Sequence, residues 1–108
     1  MPIELPPPIA AFFVADQGPG TEVVQCFTTD AVVEDEGNTY QGQAEIQKWR
    51  AEVASKFTYT CEPLTVEKQP DATIVTCRLT GNFPGSPANL RYFFQLTDNK
   101  IASLKVIP

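Results

Sequence analysis

The chain has 108 residues, a net charge of −5 and no histidine. That length suits a single domain, residues 1–108, with a core large enough to need no metal or disulfide staple. The first basic residue is Lys48, which argues against nucleic acid and anionic membrane surfaces, both of which call for basic patches. The missing imidazole removes the usual zinc ligand and any serine or cysteine triad built on it.

In chain order, residues 1–8 hold four of the ten prolines and read as an extended arm. Proline suits a first helical turn, so a helix is predicted over Ile9–Asp16, with Ile9, Phe12 and Phe13 along one side. Gln17–Gly20 is a breaker cluster, and Thr21 caps a second, short helix over Glu22–Phe27. Ala31–Val33 runs as a strand into Glu34, Asp35 and Glu36, with Val33 and Asp35 sharing one face by alternation. Gly37-Asn38 reads as a turn. A third helix is predicted over Gln43–Lys56, where Ile46, Trp49, Val53 and then Phe57 make one apolar stripe. Glu45 in its first turn and Lys56 in its last match the helix dipole.

From Phe57 the period changes to two. Strands are predicted over Phe57–Val66 with a bend at Pro63, over Thr73–Thr80, over Ala88–Leu96 and over Ile101–Ile107. Short polar or glycine-proline turns join them. Cys26, Cys61 and Cys77 are an odd set without short spacing, which reads as reduced thiols in a cytoplasmic protein. Cys61 and Cys77 flank a hairpin almost symmetrically and so face each other in this reading. No apolar run reaches membrane-spanning length, and Glu4 stands where a secretory leader carries positive charge. Helices first and antiparallel strands after give an α+β fold, with the helices on one face of the sheet.

The stretch Phe27–Trp49 resembles a known family. Phe27, Asp30, Ala31, Val33, Glu34 and Asp35, then Gly37, Tyr40, Gly42, Ile46 and Trp49, follow the pattern of SnoaL-like proteins. These belong to the nuclear transport factor 2-like superfamily, with ketosteroid isomerase and polyketide cyclases among the relatives. The resemblance implies a cone: a curved antiparallel sheet wrapped around three N-terminal helices, as in cystatin-like folds, with a pocket between them. It implies no cofactor and no metal. It also implies a homodimer through the outer sheet face, for which Val75, Cys77, Leu79, Phe93, Leu104 and Val106 are the candidates.

The same resemblance places Asp35 where isomerase relatives keep a general-base aspartate. Their donor tyrosine on the first helix falls near Phe12 or Phe13, so that phenol is missing. Their second donor falls near Tyr92, whose hydroxyl can serve a developing oxyanion. Arg78, between Thr76 and Thr80, falls toward the cavity, either to hold a ligand carboxylate or to pair with Asp35. Phe12, Val33, Trp49, Tyr59, Thr76 and Phe94 complete the expected pocket wall. Two functions stay open at this point. One is non-catalytic binding of a small hydrophobic ligand. The other is cofactor-independent proton transfer next to a carbonyl, of isomerase or cyclase type, with Asp35 as base.

Overall fold

The computed structural model describes residues 5–16, 23–35, 37–56 and 58–108. The expectations for the start of the arm, the breaker cluster, the Thr21 cap, Glu36 and Phe57 lie outside these residues. The first helix, α1, spans Pro7–Asp16. It starts two residues before the sequence reading because Pro7 and Pro8 fit the first turn, where no N–H is required of them. The N–H groups of Ile9 and Ala10 both bond the Pro6 carbonyl. In place of a second α-helix, a single 3-10 turn covers Val23–Cys26, and Phe27 already opens strand β1 (Phe27–Asp35).

Strand β2 (Asn38–Gln41), not predicted from the sequence, starts inside the expected Gly37-Asn38 turn and pairs antiparallel with the end of β1. Helix α2 spans Gln43–Lys56. Gly42 enters it at φ +84°, a conformation costly for any residue with a Cβ. Glu45 accepts the Gln41 N–H at 2.8 Å, closing the helix start much as a capping box does. The amide of Gln43 reaches the Phe27 carbonyl and ties that start to β1.

Four more strands follow: β3 (Tyr59–Lys68), β4 (Thr73–Gly81), β5 (Ala88–Thr97) and β6 (Lys100–Ile107). They form one six-stranded sheet in the order β2-β1-β6-β5-β4-β3. All pairings are antiparallel except β1 with β6, which is parallel and joins the early and late parts of the chain. Asp98 and Asn99 both take positive φ, which gives the two-residue turn whose twist matches a β-hairpin. Register shifts after Pro63 in β3, between Gln95 and Leu96 on β5, and along β1 add local bends, and these curve the sheet. Gly81, at the end of β4, lies so close to Thr58 and Tyr59 that an added Cβ would collide with them.

The helices fill the concave side. Phe12 is buried at the centre of an aromatic cluster, with ring centroids 5.2 Å from Phe13, 5.9 Å from Phe27 and 5.6 Å from Phe94. Val33, Val75, Cys77, Leu104 and Ile101 are buried around it. This corrects the proposed dimer face. Val75, Cys77, Leu79, Leu104 and Val106 all lie in the core of the single chain, while Phe93 points to the convex side. The reason is that β4 presents Val75, Cys77 and Leu79 on one face and Ile74, Thr76, Arg78 and Thr80 on the other, and the apolar face packs on the helices, whereas the resemblance puts Arg78 toward the cavity and so inverts the strand. Cys61 also proves not to face Cys77. Cys61 pairs with Leu79, and Cys77 with Pro63. Such diagonal neighbours stand roughly 7–8 Å apart, farther than a disulfide spans. No helix among the described residues is long and apolar enough to cross a membrane.

Candidate functional site

Asp35 and Tyr92 are set by register. Both pair with Val106, Asp35 from β1 and Tyr92 from β5. All three side chains therefore face the concave side, with one strand between the two polar residues. Neighbouring strands lie about 4.8 Å apart, so the Asp35 and Tyr92 backbones stand roughly 10 Å from each other. Between sheet and helices opens a cavity of about 540 Å³, within the range of small-molecule sites.

The polar part of its wall is made by Asp35, Trp49, Arg50, Tyr59 and Tyr92. Phe12, Val53, Leu79, Leu90 and Val106 supply much of the apolar part, and Phe83 and Pro84 of the β4–β5 loop lie at the edge. That loop is tied down. Asn82 exchanges two hydrogen bonds with Thr58, and Ser86 Oγ accepts the Gly81 N–H at 2.8 Å.

Trp49 organises the polar side. Its indole N–H donates to Asp35 Oδ2 at 2.9 Å, which orients the carboxylate from α2. A hydrogen bond of this kind favours the charged carboxylate, while the apolar wall around it disfavours charge. The Tyr40 ring, on β2, lies 6.1 Å from the Trp49 ring and backs it. Arg50 is 5 % exposed. Its guanidinium sits 5.2 Å from the Trp49 ring centroid and donates from one terminal nitrogen to the Tyr59 hydroxyl at 3.2 Å.

Of the residues singled out from sequence, Asp35, Tyr92, Phe12, Trp49 and Tyr59 reach this cavity. Val33 and Phe94 lie beneath it in the core. Arg78 and Thr76 do not reach it. Arg78 pairs between Glu62 and Asn89 on the convex face and is exposed, and Thr76 shares that face. The inverted sign of β4 is again the cause, so Arg78 neither clamps Asp35 nor anchors anything in the cavity.

The arginine that sequence reasoning missed is Arg50. Its signal was present: Ile46, Trp49, Arg50 and Val53 recur at i, i+3, i+4 and i+7, so Arg50 falls inside the apolar stripe of α2. A charge in such a stripe marks a place where the helix faces something other than hydrocarbon.

No protein-family model and no curated protein matches the chain. Solved structures do. A candidate polyketide cyclase from Sinorhizobium meliloti is 36 % identical, with 95 % of each chain covered and a TM-score of 0.91. A protein of ketosteroid isomerase-like fold from Catenulispora acidiphila, solved with trimethylamine, is 17 % identical over 97 % of this chain and 87 % of that one, with a TM-score of 0.84. An epoxide hydrolase/cyclase-like enzyme of pyran ring formation in salinomycin is 20 % identical over 93 % and 86 %, with a TM-score of 0.74. The last two likenesses show the fold alone. The architecture is the α+β cone of the nuclear transport factor 2-like superfamily. Within it, the chain belongs to the SnoaL-like proteins, relatives of polyketide cyclases and ketosteroid isomerases.

Proposed function

We propose that this protein is a cofactor-independent enzyme that moves a proton next to a carbonyl in a small, largely apolar substrate. One observation carries the reading. Asp35, held by Trp49, and Tyr92 face the same cavity from two strands with one between them. In the step, Asp35 takes a proton from carbon beside the carbonyl. The C–H electron pair forms a C=C bond, and the carbonyl oxygen becomes an enolate that accepts the Tyr92 hydroxyl. Where the substrate carries a β,γ double bond, the dienolate takes the proton back at its γ-carbon and the double bond moves into conjugation, giving isomerisation. Alternatively the enolate carbon attacks a second carbonyl of the same molecule, forming a C–C bond, and the proton passes to the new alkoxide. The likeness to a candidate polyketide cyclase supports the second course.

The protein works as a homodimer through the convex face in this reading. Val32, Phe93 and Ile107 line a groove of about 360 Å³ there, with Glu34 and Lys105 beside them. In the same reading it works in the cytoplasm with Cys26, Cys61 and Cys77 as thiols.

The test uses 2-tetralone, a bicyclic enolisable ketone, in D₂O. Wild type accelerates exchange of its α-protons, followed by NMR, and Asp35→Asn lowers that acceleration by on the order of 10²–10⁴-fold. The amide oxygen of the variant still accepts the Trp49 N–H, so its circular dichroism matches wild type. A wild type that leaves exchange at the buffer rate removes the enzymatic reading and leaves binding of a hydrophobic ligand in its place.

A further inference from the structure

Arg50 places a guanidinium in the wall of the cavity. It occupies the i+4 place from Ile46 on a helix face that is otherwise apolar, and it is 5 % exposed. The other arginines, Arg78 and Arg91, are exposed on the convex side. Arg50 is the basic residue in the wall of the cavity as described, just as Asp35 is the acidic one.

Its contacts fix a plane. The guanidinium lies over the Trp49 indole and is bonded at one end to Tyr59, a residue that lines the same cavity. Trp49 in turn holds Asp35 through its N–H. Carboxylate and guanidinium are thus positioned by one indole, the first through its edge and the second over its face. A planar guanidinium in a low-dielectric wall binds oxyanions more strongly and more directionally than an ammonium does. We infer that Arg50, with the Tyr59 hydroxyl, is a second oxygen-binding station and the specificity-determining element of the cavity: the substrate carries, besides the carbonyl that enolises, an oxygen that is anionic as a carboxylate or enolate. This rests on the proton-transfer reading for the first oxygen and stands on its own geometry for the second.

Binding of two probes of the same ring size tests it, 2-naphthoate and naphthalene, by fluorescence titration at moderate salt. Wild type is expected to prefer 2-naphthoate by about tenfold or more, equivalent to about 1.4 kcal/mol. Arg50→Met brings the two affinities within about threefold while naphthalene binding stays near wild type, since removing a charge-assisted partner affects only the anion. Asp35→Asn keeps the preference or widens it, because it removes a like charge. A wild type that does not prefer 2-naphthoate, or an Arg50→Met variant that still does, overturns the inference. Should Arg50→Met lose naphthalene as well, Tyr59→Phe decides. A preference narrowed by about threefold with naphthalene unchanged supports the station, on the scale of one neutral hydrogen bond. An unchanged preference refutes it. Silent exchange of 2-tetralone together with an intact preference would defeat the proton-transfer reading and leave the anion station standing.

Discussion

Two rows of residues cross this sheet one position apart, and they belong to different worlds. The first reads Val66, Val75, Tyr92, Val106, Asp35 across five strands. Its middle members are buried against the helices, and it ends at the cavity with a carboxylate. The second reads Glu67, Ile74, Phe93, Lys105, Glu34 across the same strands. It lies on the convex side, with its charges in solvent and its apolar residues half-buried at most. The chemistry of the two rows differs little at β4, where valine stands beside isoleucine. What separates them is which side the helices occupy. A charge on the first row must be held, as Trp49 holds Asp35 at 2.9 Å. A charge on the second row is left to water, as in the Lys105–Glu34 pair at 3.9 Å with both side chains more than half exposed, a geometry that contributes little.

The comparison is broken most severely at Phe94, which shares the concave face with Tyr92 and is fully buried. Phe94→Ala is expected to cost on the order of 3–5 kcal/mol in urea unfolding, the range for a large aromatic truncated in a packed core. Its neighbour sharpens the contrast. Phe93→Glu changes monomer stability by about 1 kcal/mol or less. It shifts the sedimentation coefficient from dimer to monomer if the convex face is the pairing surface. An unchanged dimer would move the interface elsewhere. Arg78→Ala is the smallest effect. Placed on the convex side, it alters stability by about 0.5 kcal/mol at most and leaves both 2-naphthoate affinity and 2-tetralone exchange at wild-type levels. A tenfold loss in either would return Arg78 to the cavity and contradict the register of β4.

Much of this was legible beforehand. The period-3.6 stripe of α2, the period-2 strands, the bend at Pro63 and the short polar turns between the late strands follow from local chemistry, and each matches the fold. The family pattern around Asp35 was sufficient to expect the cone. The short β2 was not legible, because four residues beside Gly37 and Gly42 carry turn chemistry and become strand only through pairing with β1. The alternation of β4, apolar Val75, Cys77 and Leu79 against Thr76, Arg78 and Thr80, did favour the observed side, but placing Arg78 by resemblance overrode it and carried Thr76 and the supposed dimer residues of β4 with it.

By itself, then, the sequence determined the elements, their order and the residue types able to do chemistry, since helical stripes, alternation and turns are written in neighbours a few positions apart. The tertiary structure alone decided which arginine meets the cavity and that Trp49 bridges the carboxylate and the guanidinium. Alternation marks the more apolar face, but what that face touches is settled only when helices packed from elsewhere in the chain cover it.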